Sequence, residues 1–372
     1  MKIAIDGRLY GLENAGLGRY VSNLVNRLAL IDQKNKYHIL LRKKYFQSLR
    51  LPANWKKHLC DVQHYSLTEQ IAVPNFLKEI KPDLVHFPHF NVPIFYSGPF
   101  VVTIHDILMH QKSGLEATTL AAPVYLVKRL GYHRVFRHAV TESKKIIVPS
   151  NFAKAELVKY YDLEPDKVTV TYEGFDEKIK NLLSPERILN KYKLDKPYFI
   201  YAGNAYPHKN LARLIEAFAI LNGKAQLAIV SSRNVFTQKL SKLVSDLRAE
   251  DHVKLLGFVP DEDLGVLYAA SEAFTFPSLS EGFGLPGLEA LATGTILLAS
   301  DIPVFKEIYR EQAIYFNPYD FSSIQEAIDG VLKLNPKKRR VIITAGKKFA
   351  KRYSWDKMAR ETLKVYEDCS GI

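Results

Sequence analysis

Cysteine is nearly absent: Cys60 and Cys369 are the only two in 372 residues. They lie near opposite ends of the chain and match no metal-ligand spacing, which excludes a disulfide scaffold and fits a reducing, cytosolic setting better than a secreted one. No stretch approaches the roughly 18 uncharged apolar residues that spanning a bilayer requires. The opening MKIAIDGRLYG carries Asp6 and Arg8 within its apolar stretch and does not read as a signal peptide. Internal repeats of fixed period and low-complexity tracts are also missing. Hydrophobic residues at 47% and charged ones at 24% exclude wholesale disorder. The expectation is a cytoplasmic protein, at most peripheral on the inner face of the membrane.

Acidic residues are in short supply, 39 against 52 Lys and Arg, for a formal charge of +13. The excess leans toward the N-terminal half, where residues 1–176 hold 24 basic and 16 acidic side chains. Such a charge attracts nucleic acid, acidic headgroups or phosphorylated substrates without choosing among them, and solubility alone also accounts for it.

What is present is a regular alternation. Short runs rich in Val, Ile, Tyr and Phe read as buried strands at Lys2–Asp6, Tyr37–Leu41, Asp83–Phe87, Phe100–Ile104, Lys145–Pro149 and Val168–Tyr172. A second series falls at Tyr198–Ala202, Gln226–Ser231, Val253–Gly257, Ala273–Pro277, Thr295–Ser300 and Ala313–Phe316. Between them lie helical stripes, such as Leu17, Val21, Leu24, Leu28 and Ile31, or Leu211, Leu214, Ile215, Phe218 and Leu221. Strand–helix alternation implies parallel sheets covered on both faces, and two series in a chain of this length imply two similar α/β domains. The polar stretch Glu173–Lys196 separates them. The expected organisation is a domain over 1–175, a linker over 176–196, a second domain over 197–353 and a C-terminal helix over 354–372. In that helix Trp355, Met358, Ala359, Leu363 and Tyr366 form an apolar stripe.

In an open parallel sheet, ligands bind beyond the carboxyl ends of the strands, where loops enter helix N-termini. The richest such loop is Ser278-Leu-Ser-Glu281-Gly-Phe-Gly284-Leu-Pro286-Gly-Leu-Glu289. Its glycines let backbone approach a ligand, and the helix start favours an anion. Glu281 before the helix and Glu289 one turn inside it are acceptor-only carboxylates, suited to gripping hydroxyls on either side of a diphosphate. An isolated glutamate near a helix start merely complements the helix dipole; two of them flanking Gly-Phe-Gly-Leu-Pro are a stronger signal.

This element resembles the E-x7-E motif of retaining glycosyltransferases with the two-domain GT-B fold, family 4 in particular, and the resemblance covers essentially the whole chain. Gly16-Leu-Gly18-Arg19-Tyr20 is similar to the family's first-loop glycine motif, and Val101-Val-Thr-Ile-His105-Asp106 to its histidine segment. Val148-Pro-Ser150-Asn-Phe closes the first domain in the family's manner. Tyr201-Ala-Gly203-Asn204-Ala-Tyr-Pro-His-Lys209-Asn210 resembles the loop opening the second domain, and Gly257-Phe258-Val259-Pro-Asp the base-binding loop. His86-Phe-Pro-His89-Phe together with Thr103-Ile-His-Asp106 is closest to mannosyltransferase-like members. The resemblance implies two Rossmann-like domains facing across a cleft, with the C-terminal helix packing back toward the first.

It also implies roles. The departing nucleoside diphosphate gathers negative charge, which Lys209 would meet, with Arg19 and backbone near Gly16 and Gly18 approaching from the other domain. The family often carries an arginine shortly before this lysine; Asn204 stands in that stretch, and Arg233 is a candidate substitute. Glu289 would hold the ribose, Glu281 the hydroxyls of the transferred sugar, and His105 would orient that sugar rather than act as a general base. Phe258, Val259, Phe283, Gly284 and Leu285 complete the donor set, while Arg19 and Asp106 face the acceptor. No residue is identified as a covalent nucleophile. The expected reaction is retaining transfer of a hexose, mannose from GDP-mannose, to a glycan or lipid-linked acceptor.

The one Asp-x-Asp string, Asp261-Glu-Asp263, reads as an N-cap with acidic first-turn neighbours rather than a metal site, so no obligatory metal or other cofactor is expected. The segment Leu120–Lys145 interleaves Lys128, Arg129, Arg134, Arg137, Lys144, Lys145, His133 and His138 with Tyr125, Leu126, Leu130, Val135 and Phe136. It fits equally a basic helix lying on anionic lipid and a surface helix whose long stems cover apolar neighbours. Three rival readings remain: a GT-B nucleotide-sugar epimerase, a basic nucleic-acid-binding protein and a dinucleotide-dependent dehydrogenase. The intact glutamate pair disfavours the first, and the absence of a stacking platform the second. Gly11-x4-Gly16-x-Gly18 departs from the dinucleotide fingerprint that the third requires.

Overall fold

The computed structural model describes residues 1–107, 122–175, 184–195, 197–221, 223–231 and 234–370. The chain divides into two units, Met1–Gly174 with Ser354–Ile372, and Phe175–Tyr353.

The first unit is built on seven parallel strands: β1 (Lys2–Asp6), β2 (Lys36–Leu41), β3 (Trp55–Leu59), β4 (Leu84–Phe87), β5 (Phe100–Thr103), β6 (Lys145–Val148) and β7 (Val168–Val170). Their order is β3-β2-β1-β4-β5-β6-β7. Every residue of β4 and β5 is buried, as expected of parallel strands covered on both faces. Strand residues Val85, Phe87, Val102 and Ile146 pack with Val73 and Leu77 of the Leu67–Ile80 helix and with Phe136 and Val140 of the Ala122–Glu142 helix. The first stripe becomes the Ala15–Ile31 helix, which buries Tyr20, Val21, Leu24, Val25 and Leu28.

β3 is absent from the sequence reading. Its residues Trp-Lys-Lys-His-Leu bury only Trp55, because the strand lies at the sheet edge and pairs with β2 alone. An edge strand so rich in lysine lacks the apolar run that marks its neighbours.

The second unit carries six parallel strands: β8 (Tyr198–Ala202), β9 (Gln226–Val230), β10 (Val253–Gly257), β11 (Ala273–Phe276), β12 (Leu297–Ser300) and β13 (Ala313–Phe316), in the order β10-β9-β8-β11-β12-β13. Three of its expected strand ends retract by one or two residues; β12, for example, starts at Leu297 rather than Thr295, whose hydroxyl is bonded to the Tyr268 carbonyl instead. The stretch read as a linker contains the helix Pro185–Lys191, which packs on the Asp261–Ala270 helix and is held there by Asp263, bonded to Lys191 at 2.5 Å and to Tyr192 at 2.8 Å. Asp261 is not the cap of its helix. Pro260 occupies that position and Asp261, Glu262 and Asp263 form the first turn, where their charge complements the dipole.

The C-terminal helix Trp355–Ser370 packs against the Ala15–Ile31 helix and β4 of the first unit. It buries Trp355, Met358, Ala359, Val365 and Tyr366, while Thr362, not Leu363, completes the covered stripe. Among the described residues, no helix is long and apolar enough to cross a membrane.

Candidate active site

In each sheet the strand order reverses at one place. The reversal falls between β1 and β4 in the first unit and between β8 and β11 in the second. Loops leaving the carboxyl ends of strands on either side of such a reversal diverge and leave a crevice for ligand.

In the second unit those two loops carry Lys209 and Glu281. β8 runs into a short 3-10 turn, Pro207–Lys209, and Asn210 takes a left-handed conformation before the helix Leu211–Ala219 begins. β11 runs through Pro277 and the buried Ser278 to Glu281. A backbone bond from Leu279 N–H to the His208 carbonyl, 2.8 Å, fastens one loop to the other. Lys209 Nζ then donates to Glu281 Oε1 at 2.6 Å, and Ser278 Oγ donates to the same oxygen at 2.7 Å. Both charged side chains are mostly buried, 16% and 11% exposed. A charge so shielded is costly unless paired, so each of these two makes the other tolerable.

The loop after Glu281 ends at Gly284, whose φ of 104° is open to glycine at little cost. A Cβ there would also lie 2.2 Å from the Tyr309 hydroxyl, which is hydrogen-bonded to the Gly284 carbonyl. Tyr309 thereby sets where the helix Leu285–Thr293 starts, with Pro286 as its second residue. Glu289 stands in the next turn of that helix and is only 5% exposed. Phe283 and Leu285 are buried, Phe283 edge-on to Tyr353, so neither side chain is open to a ligand. In the loop after β10, Val259 is buried whereas Phe258 is 73% exposed; the two neighbours face different surroundings and do not form one apolar wall. The Asn204 carbonyl accepts from Tyr201 Oη at 2.7 Å, which fixes the start of the Lys209 loop. Arg233 lies outside the described residues.

In the first unit, Gly16, Gly18 and Arg19 lie in the first turns of the Ala15–Ile31 helix, downstream of β1. A Cβ on Gly18 would stand 1.8 Å from the Gly11 carbonyl oxygen, so close approach of backbone requires glycine here; nothing crowds Gly16. His105 and Asp106 follow β5. His105 Nδ1 is 3.1 Å from Glu173 Oε1, and Nε2 is 3.1 Å from the Pro88 carbonyl. Burial works against a charged ring here, but Glu173, Pro88 and Asp106 together raise its pKa above the ordinary histidine value. His86 is wholly buried between Tyr366 Oη at 2.6 Å and Thr103 Oγ1 at 2.8 Å, and burial depresses its pKa to about 3. It is a packing residue.

The sequence reading did not single out Glu173, Ser278 or Tyr309. Nor did it anticipate the buried cluster in which Arg8 Nη2 bonds Asp6 and Glu69, both at 2.6 Å, while Asn91 donates to Glu69 at 2.6 Å. Burial opposes charge on Asp6, yet Arg8 outweighs it and holds the carboxyl at about 2. Charged residues in and just after an apolar strand, Asp6 and Arg8, were the available signal.

Comparison with known proteins agrees with this architecture. The family description "Glycosyltransferase Family 4" matches residues 15–178, and "Glycosyl transferases group 1" matches residues 186–349. The O-antigen chain mannosyltransferase RfbU of Salmonella typhimurium is 28% identical over 79% of this chain and 76% of its own length. The O-antigen chain mannosyltransferase B of Escherichia coli is 28% identical over 95% of this chain and 96% of its own. Among solved structures, a sucrose-phosphate synthase from Thermosynechococcus elongatus superposes with a TM-score of 0.80 at 19% identity, covering 99% of this chain and 98% of that one. With both halves matched and two Rossmann-like sheets in place, the chain belongs to the GT-B glycosyltransferases described by these two families.

Proposed function

We propose that this glycosyltransferase moves mannose from GDP-mannose to a glycan or lipid-linked acceptor, with retention of configuration and without an obligatory metal. The observation carrying this reading is the meeting of Lys209 and Glu281 on two loops at the β8/β11 reversal. The names of the relatives favour mannose over other hexoses. In this reading the Lys209 ammonium neutralises the departing diphosphate, where fixed positive charge in a water-poor site is most effective. Glu281, released from Lys209 by the incoming phosphate, takes the sugar hydroxyls, and Glu289 takes the ribose. Gly284 and the following helix start supply backbone N–H groups, and His105 orients the sugar. Gly16, Gly18, Asn204 and Val259 contribute to the donor side, and Arg19 and Asp106 to the acceptor side. No covalent nucleophile is required if the departing phosphate accepts the proton of the acceptor hydroxyl on the same face of the sugar. The engagement of Asp263 by Lys191 and Tyr192 supports a structural role for that acidic string, tying two helices together, over a metal role.

A screen of GDP-mannose, UDP-glucose, UDP-galactose and UDP-N-acetylglucosamine, reading released nucleotide, tests the donor. Release from GDP-mannose is expected, and a preference for any UDP-sugar would overturn that assignment. Activity should survive chelation; loss restored by Mg²⁺ would remove the metal-free part of the reading.

The Ala122–Glu142 helix supports a peripheral membrane role. Leu126, Val127 and Leu130 are 58%, 70% and 70% exposed, beside the exposed Lys128, Arg134 and Arg137. An apolar strip bordered by cations suits anionic lipid, and the protein should float with anionic vesicles but not neutral ones.

A further inference from the structure

We propose that Glu173 is a positioning residue that holds His105 as an imidazolium, leaving the ring no lone pair with which to take a proton from the acceptor. A backbone carbonyl and an ionised carboxylate can only accept, and His105 meets one at each ring nitrogen, Pro88 at Nε2 and Glu173 at Nδ1, both 3.1 Å away. A neutral ring carries one N–H and satisfies one of these partners; the doubly protonated ring satisfies both. Glu173 is itself 8% exposed, and a buried carboxylate needs a cation beside it.

The other groups around the ring are compatible with this state. Asp106 adds favourable charge, and Tyr20 stands edge-on with ring centroids 4.7 Å apart. His86 and His89 are the two titratable groups that would oppose a second positive charge, and burial keeps both neutral, with His105 adding to the depression. The cation is therefore concentrated on His105, and its two N–H groups pin it between Pro88, just after β4, and Glu173, just after β7.

This inference rests on the transferase reading for its chemical meaning: a histidine whose two N–H groups are committed to Glu173 and Pro88 acts on the donor through its fixed positive charge, while the departing phosphate serves as base. Its geometry can be tested apart from activity. The test is a pH titration of the full-length protein, with isotope-labelled histidine followed by NMR and the His105 signals assigned by loss in His105→Asn. Both ring nitrogens of His105 should remain protonated above the ordinary histidine range. Glu173→Gln should lower its pKa by about one unit, a tenfold change in the proton equilibrium, and Glu173→Asp should restore part of it. A neutral His105 at neutral pH in the wild type overturns the proposal, and so does an unchanged titration in Glu173→Gln. If that variant does not fold, the wild-type titration decides alone. With the active donor, Glu173→Gln should lower kcat about tenfold with little change in KM, as expected when a bound substrate is held out of alignment. An equal rise in KM with kcat unchanged would contradict the positioning role. Absence of turnover with every nucleotide-sugar would count against the transferase reading while the NMR result stood.

Discussion

At the scale of single residues, the pairing of Lys209 with Glu281 makes the two glutamates of the E-x7-E element separable. Glu289→Ala should weaken nucleoside diphosphate binding and turnover together. Glu281→Ala should lower turnover with the nucleotide-sugar and leave nucleoside diphosphate affinity nearly intact. Each loss is expected at about 10–100-fold, the size of one hydrogen bond to a charged group, and calorimetric titration beside steady-state kinetics separates them. Two histidines should mark the pH dependence of folding with opposite signs. His105 has a raised pKa, so its contribution is fully present below the ordinary value of 6.5 and is lost as pH climbs through the raised one. His86 is held neutral, with its pKa depressed to about 3, so its contribution is present above 6.5 and fades as pH falls toward that figure. Urea midpoints across this range, compared with those of His105→Asn and His86→Gln, would show the two slopes. The E-x7-E glutamates and Lys209 stand out because each lies in a short motif of its own, although Lys209 and Glu281 are 72 residues apart. The partnership of His105 with Glu173 was not legible, since 68 residues separate the two and neither position betrays the other.

At the scale of elements, most strands were visible because parallel strands buried on both faces are written as unbroken apolar runs. β3 shows the limit of that signal: its lysines are tolerated because one edge of the strand and much of its surface meet solvent. The two glycines of the first helix give a paired test. Gly18→Ala should cost about 1–3 kcal/mol in denaturant unfolding, because the added methyl meets the Gly11 carbonyl at 1.8 Å. Gly16→Ala, with nothing within 4 Å, should be neutral or stabilising by up to about 1 kcal/mol. A fall in activity of Gly16→Ala without loss of stability would mark that backbone as a ligand contact. Tyr309→Phe removes the hydroxyl bonded to the Gly284 carbonyl and should cost about 1 kcal/mol while loosening the loop that carries Glu281.

At the scale of the whole molecule, two α/β domains follow from two strand series, and length alone anticipates the division. Membership of the last helix in the first unit is of a different kind. Its apolar stripe says that one face is covered but not by what, and the bond between Tyr366 and His86 joins residues 280 positions apart. Tyr366→Phe should destabilise the first unit by about 1–3 kcal/mol, because a buried imidazole nitrogen loses its partner. The second unit, which contains neither residue, should unfold as before, and calorimetry resolving two transitions would show this. The return of residues 354–370 to the first sheet also orders the events of synthesis. A ribosome releases the second unit as one uninterrupted stretch, able to close as soon as it emerges. The first unit, begun earlier, must wait with the seat of that helix uncovered until residues 354–370 leave the exit tunnel, so of the two domains the one started first is completed second.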